Sequence, residues 1–398
     1  GAPGFNGGKV FIYKPSIDRE NWKLTQVISG RDTAEYNASN VEDDRGHFGW
    51  SLKFNNIKGG AKDDTVQLII GAPHQKVGSV YGAGSIYTFT GRANNYEDQS
   101  ELEYDFFQTT NMPHPEYPDH TPNFKISGGN NFGEVIDVDN KLMVVASKHV
   151  NAWSEDAGSV TAAKHTIEES GAAWVYYSDD PLADDPNFAL VAHITGTGQT
   201  SAEQVKRADH DAFGPRFGAS ASIAFTEGVR INGVNNQESG TLAISELGTN
   251  AVRHGVGSQD SRLGRVHIYT GVSRHQDTPG VVSGVGHWEY AATLEPEFDD
   301  GQMDSDATDY FGEFGRAVEI RGIGPNNKPP FTVVVAEPNF NAGVGITAKA
   351  AGYGALHTYT GFGNQWSLVN KTIATGDLFK GFGAFDSSMD LDQDGKTI

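Results

Sequence analysis

Cysteine is missing altogether from the 398 residues. No disulfide framework can staple the chain and no thiol can act as a nucleophile, so the fold has to rest on its own core. That fits a cytosolic protein, and equally a secreted one with a core this large. No apolar run reaches about eighteen residues, so no segment reads as a membrane-spanning helix. Basic residues are scarce: 30 Lys and Arg stand against 51 Asp and Glu, for a net charge of −21. Nucleic-acid phosphates would be repelled, which argues against that class of partner. Divalent cations, basic partners or a salty medium stay compatible. Catalytic signatures are lacking too, with no Gly-x-Ser-x-Gly elbow, no His-Glu-x-x-His and no phosphate loop. Paired carboxylates abound, but a glycosidase pair is defined by separation in space. The sequence begins at Gly1 rather than Met, and is read as a mature form or a fragment.

What the chain does have is glycine, 49 of them, and one short phrase that keeps returning. Its clearest copy is Gly84–Ser85–Ile86–Tyr87–Thr88–Phe89–Thr90–Gly91. The others start at Gly8, Gly171, Gly264 and Gly354. β-branched or aromatic residues alternate with small or polar ones, a period-2 strand signal punctuated by glycine. Five copies at similar intervals mean an internal repeat.

Around each phrase the sequence predicts four strands. A Phe-Gly pair opens the first, at Phe48, Phe132, Phe217, Phe314 and Phe382. The second is almost continuously apolar, as in Val66–Ile70, Leu142–Val145, Thr241–Ile244 and Phe331–Val335, which implies burial on both faces. The phrase itself is the third. The fourth is amphipathic, as in Trp22–Ile28, Phe188–Ile194 and Trp366–Ile373. A four-stranded antiparallel unit repeated around an axis is the sequence picture of a β-propeller. The fold class expected is therefore all-β, a propeller of five four-stranded antiparallel blades. Four blades span about 31–110, 111–196, 197–296 and 297–375. The fifth joins 376–398 to 1–30, pairing the two terminal segments and so removing bare strand edges.

Phe-Gly before one strand and Gly-Ala-Pro after the next, at Gly1–Pro3 and Gly71–Pro73, resemble the FG-GAP repeat, whose members include the N-terminal propeller of integrin α subunits. The equivalents elsewhere are read as Ala146–Ser147–Lys148, Ile244–Ser245–Glu246 and Ala336–Glu337–Pro338. The best-known members have seven blades, whereas five are counted here. The resemblance implies a calcium loop between the first two strands of a repeat. Asp390–Leu391–Asp392–Gln393–Asp394–Gly395–Lys396 has that place, with three alternating carboxylates, a glycine for the turn and the Lys396 carbonyl as a further oxygen. The family's next aspartate is replaced by Ile398. An EF-hand would need a glutamate beyond Ile398, and a solvated acidic turn is the plain alternative.

A meander sends its 2–3 and 4–1 loops to one face. The long insertions Arg31–His47, Thr110–Asn131, Lys148–Ser170 and Asn339–Tyr353 fall there, and long irregular loops tend to carry function. Exposed aromatics are common recognition anchors, which makes Tyr81, Tyr117, Trp153 and Tyr353 ligand-face candidates. His114, Glu116, Asp119 and His120 sit in a proline-rich loop that reads as stiff and exposed rather than metal-binding. Asn37–Ala38–Ser39 and Asn370–Lys371–Thr372 are glycosylation sequons in a secreted eukaryotic context. The expectation is an extracellular or cell-surface adhesion module that binds a protein or glycan and holds a structural calcium. The alternatives are a subunit of a surface filament that binds copies of itself, and a propeller hydrolase or lyase.

Overall fold

The computed structural model describes residues 1–3, 7–15, 20–30, 46–57, 65–78, 80–92, 103–113, 129–150, 152–154, 165–167, 171–179, 188–195, 216–231, 234–247, 264–274, 284–296, 313–322, 329–338, 354–373 and 389. Nearly all of them lie in strands or the turns between them. A two-stranded antiparallel sheet pairs β1 (Lys9–Pro15) with β2 (Trp22–Ser29). Four antiparallel sheets of four strands follow. The first holds β3 (Leu52–Ile57), β4 (Thr65–Ala72), β5 (Ser85–Arg92) and β6 (Glu103–Asn111). The second holds β7 (Val135–Asp139), β8 (Leu142–Ser147), β11 (Ala172–Tyr177) and β12 (Ala189–Thr195). Between β8 and β11 stands a short hairpin of β9 (Ala152–Ser154) and β10 (His165–Ile167). The third sheet holds β13 (Phe217–Ile231), β14 (Val234–Glu246), β15 (Arg265–Arg274) and β16 (Gly284–Leu294). The fourth holds β17 (Ala317–Gly322), β18 (Phe331–Glu337), β19 (Ala355–Phe362) and β20 (Gln365–Ile373). This repetition of four-stranded antiparallel meanders is the blade plan of a multi-blade propeller.

The apolar second strands explain how the sheets stack. Every residue of β8 and β18 is buried, because alternate side chains enter the layers on either side. Ile69 of β4 joins Ile136 and Val145 between the first and second sheets. Val144 of β8 joins Ile223 and Leu242 between the second and third. Ala243 of β14 joins Ile320 and Val333 between the third and fourth. Two outer layers flank the set. Val10, Ile12 and Ile28 of the β1–β2 pair cover Leu68 and Ile70 of the first sheet. Met389 covers Val334, Ala336 and Leu356 on the far side of the fourth. Each Val, Leu, Ile or Met side chain among them contributes about 1.5–3 kcal/mol when fully buried. The outer strand β20 faces water on one side and alternates accordingly, whereas β12 packs Leu190 into one layer and Val191 and Ile194 into the other.

The Phe-Gly pairs and the glycine phrases prove to be one device. Ahead of each of Phe48, Phe132, Phe217 and Phe314 stands a non-glycine residue with positive φ, and the glycine after it is also positive, so the pair sits in a tight turn. Three of the four pairs therefore precede their strand instead of opening it; only Phe217–Gly218 lies within one. The phenylalanines are 0–2% exposed and pack edge-on against the third strand of their own sheet, Phe48 on Tyr87 and Phe132 on Trp174. The glycine that opens the phrase in the preceding sheet meets their carbonyl oxygens: a Cβ on Gly84 would collide with the carbonyl of Phe132, and one on Gly171 with that of Phe217.

Strand register corrects one alignment. Ala72 pairs with Ser85, Ser147 with Ala172, Glu246 with Arg265 and Glu337 with Ala355. The counterpart of Gly-Ala-Pro in the third sheet is thus Ser245–Glu246–Leu247, one residue on from Ile244–Ser245–Glu246. The Lys148–Ser170 insertion, read as a loop, contains the β9–β10 hairpin. The segment 376–388, where the partner strand expected for β1 would lie, is outside the described residues.

Candidate functional site

Two groups of chemically active side chains stand out. The first lies on the face that receives the 2–3 and 4–1 connections. His47 and Trp50 come from the turn entering β3, and His74 follows Pro73 directly after β4. Their rings form one stack: His47 lies 4.1 Å from His74, and Trp50 lies 5.7 Å from His47 and 6.2 Å from His74 at interplanar angles of 10° and 23°. Trp50 is 50% exposed and Tyr81 54%. Lys76 donates to the Tyr81 hydroxyl at 3.3 Å, and its ammonium sits 4.4 Å from that ring's centre.

The second sheet supplies the neighbouring charges. Glu134 precedes β7, and Lys148 and His149 follow β8. Lys148 Nζ lies 2.9 Å, and His149 Nε2 3.6 Å, from Glu134 Oε1. Burial alone would raise the Glu134 carboxyl, but His149 and Lys148 outweigh it and hold it below its usual value. Burial lowers the His74 imidazole, with His47 and His149 adding to the effect and Glu134 opposing it. His74 is therefore neutral at pH 7.

The second group lies on the axis and uses one position of the repeat. The fifth residue after each Phe-Gly phenylalanine is Lys53, Asp137, Ser222 and Glu319. Lys53 Nζ reaches Asp137 Oδ1 at 3.0 Å and Glu319 Oε2 at 3.6 Å. Arg321 holds Glu319 Oε1 at 2.9 Å. Ser222 donates its hydroxyl to Asp137 at 2.7 Å and accepts the Ile320 N–H at 3.1 Å. Asp137 also takes the Ile223 N–H at 2.8 Å. Burial pushes the Asp137 carboxyl up, but Lys53, Arg321, the Ile223 N–H and Ser222 overcome it and hold it well below the carboxylate range. For Lys53 burial acts downward, and the two carboxylates reverse it, so its ammonium persists above the ordinary lysine range. Flanking positions repeat the trick. Asp139 accepts from Phe225 N–H, Ser220 from Val318 N–H, and Asn55 exchanges hydrogen bonds with the backbone of Asn140. Inner-strand side chains thereby satisfy the edge N–H groups of the next sheet, which have no ladder partner on that side.

Asp137 and Asp139, too close together for an ion loop, thus serve as sheet-to-sheet acceptors. Among the described residues no group of three or more His, Asp or Glu is arranged to hold a metal. Two Glu–His pairs, Glu246–His267 at 2.6 Å and Glu337–His357 at 2.8 Å, occupy matching places in the third and fourth sheets. Both imidazoles are at most 2% exposed, so no substrate atom reaches them. The first and second sheets put Ala72 with Tyr87 and Ser147 with Trp174 there.

Of the ligand-face residues expected from sequence, Tyr81 is on the predicted face and exposed. Trp153 is placed by its backbone in β9, within a connection to that same face. Tyr117 and Tyr353 lie outside the described residues, as do Asp390, Asp392, Asp394 and Lys396. Met389, immediately ahead of that acidic loop, packs on the fourth sheet. Sequence reading missed His47, Trp50 and His74, whose neighbouring motif residues drew the eye to Phe48 and Pro73. It also missed the axial set, which a search for polar residues at a constant offset from Phe-Gly would have found. A scan against protein-family models and a search of curated proteins both return no match.

Proposed function

We propose that the chain is a recognition module of the FG-GAP type, extracellular or cell-surface, that binds a protein or glycan through the face bearing Trp50 and Tyr81. The observation that carries this reading is two half-exposed aromatic rings, held by imidazole stacking and a lysine, on the face that also receives the long insertions. Aromatic anchors of this kind dominate binding energy at recognition surfaces. Trp50→Ala and Tyr81→Ala should each weaken capture of a ligand found on a glycan or protein array by about tenfold or more, with an unchanged melting curve. Deleting 93–100, in a 3–4 connection on the opposite face, should leave binding intact. Abolition by that deletion would put the function on the wrong face.

Calcium belongs to the same proposal. Three alternating carboxylates at Asp390, Asp392 and Asp394, with the Lys396 carbonyl, supply the hard oxygen ligands the ion prefers. An ion that binds only the folded form stabilises it by mass action. The melting temperature is expected to be higher in millimolar calcium than in chelator, and Asp392→Ala should erase the difference. Identical curves in the two buffers would remove calcium from the proposal.

One observation favours the filament-subunit alternative. Phe11, Tyr13 and Trp22 of the β1–β2 pair are 38–68% exposed. A self-assembling subunit would grow in apparent mass with concentration on a sizing column, and Tyr13→Ser would reduce that growth; a constant monomer mass would retire the alternative.

A further inference from the structure

The stacked-ring patch has a charge character at odds with the rest of the chain. The protein carries −21 overall, yet Lys76, Lys148 and three imidazoles stand in the turns around Glu134. Resting on the recognition reading above, we infer that this patch takes an acidic polysaccharide, a chain of carboxylated or sulfated sugars. One pyranose ring lies on the open face of Trp50 and its acidic groups meet Lys76 and Lys148.

Three features argue for this ligand class. Trp50 is braced by His47 and His74, so half of its surface is offered as a flat apolar plate without further ordering cost. The C–H face of a pyranose matches one indole in size, whereas a protein partner needs roughly 800 Å² of contact. Lys76 spends one of its three N–H donors on Tyr81, which aims the ammonium while leaving donors for an anion. The global charge works in the opposite sense, since the acidic surface repels polyanions in general. Capture of one therefore has to come from a local site.

The titratable groups give the site a pH signature. The imidazoles of His47 and His74 lie 4.1 Å apart, with His149, Glu134 and Lys148 acting on them from the second sheet and Lys76 on the first. At neutral pH the His74 ring is uncharged. As pH falls the His74 ring takes up a proton, and an anionic ligand favours that uptake, so affinity rises toward acid.

The test measures affinity of the full chain for alginate (carboxylated), heparin (sulfated), dextran (neutral) and polyglutamate (acidic, not a sugar), at pH 5.5 and 7.5. Alginate or heparin should bind about tenfold more tightly at pH 5.5, and the preference between them identifies the acidic group. Trp50→Ala should weaken binding about tenfold or more, and Lys76→Gln should weaken it several-fold at both pH values. Trp50→Tyr, which keeps an aromatic plate, should restore most of the affinity if Trp50→Ala disturbs the turn. Polyglutamate bound as tightly as alginate, or binding insensitive to both variants, would overturn the inference. Dextran or a protein bound through Trp50 would overturn the acidic-sugar assignment while leaving the recognition function standing. No capture of any array ligand by a folded chain would overturn both.

Discussion

Gly171→Ala is expected to cost more than about 4 kcal/mol, or to prevent folding altogether. Gly171 has φ of +80° and its Cα faces the carbonyl oxygen of Phe217 in the next sheet. A side chain in the left-handed region costs about 1–2 kcal/mol by itself. The larger part of the loss comes from contact, since both colliding partners are backbone and neither can rotate away. Relief would require separating the second and third sheets, where Val144, Ile223 and Leu242 are buried. Gly363→Ala is the control. It too has positive φ, at +58°, but an added Cβ there meets nothing within 4 Å. Denaturant titration should show a loss of about 1–2 kcal/mol for Gly363→Ala, far below that for Gly171→Ala. Equal losses would mean that the inter-sheet contact is unimportant and backbone conformation is everything.

Asp137→Ala should cost about 3–5 kcal/mol, the range for removing one member of a buried ion pair. Lys53 would keep Glu319 but lose its nearer partner, and the Ile223 N–H would lose its acceptor. The pH dependence separates charge from shape. The Asp137 carboxyl is depressed in the folded state, so its contribution is complete above the unfolded value of about 4 and is lost as pH falls through the lower folded value. Lys53 is raised, so its contribution is complete below about pH 10 and disappears as pH climbs through the folded value. Wild type should therefore lose part of its stability below about pH 4, and Asp137→Asn, which cannot titrate, should lose less over that range. Parallel acid limbs for the two proteins would show that the aspartate charge contributes nothing.

The parts of this fold that could be read from the sequence are those where one physical demand acts on consecutive residues. Burial on both faces made β8 and β18 stand out, and the backbone contact at Phe217 leaves room only for glycine at Gly171. The Phe-Gly turn was found but misplaced, because two left-handed residues flanking a phenylalanine, such as Asn131 and Gly133 around Phe132, leave no trace in hydrophobic patterning. The axial set was overlooked for a different reason. Lys53, Asp137, Ser222 and Glu319 share a position but not an identity, since each has to complement the others and not repeat them. The stacked patch escaped because its members are scattered over four turns and its ring geometry follows from how two connections meet. The Gly-Ala-Pro counterpart of the third sheet slipped by one residue because Ser245 and Glu246 have nothing in common with Ala72 beyond strand pairing.

The axial pair also bears on how long the folded protein lasts. Contacts in the described sheets run chiefly between neighbours, so segments of the array can form in any order, as in other repeat folds. Lys53 and Glu319 are different, because they belong to the first and fourth sheets and meet only once the intervening two are in place. An interaction formed after the rate-limiting step leaves the folding rate alone and slows unfolding. Weakening it, for instance with Lys53→Met, would then shorten the lifetime of the native state more than it delays folding. Under proteolysis, that lifetime is what the ammonium between the first and fourth sheets would govern.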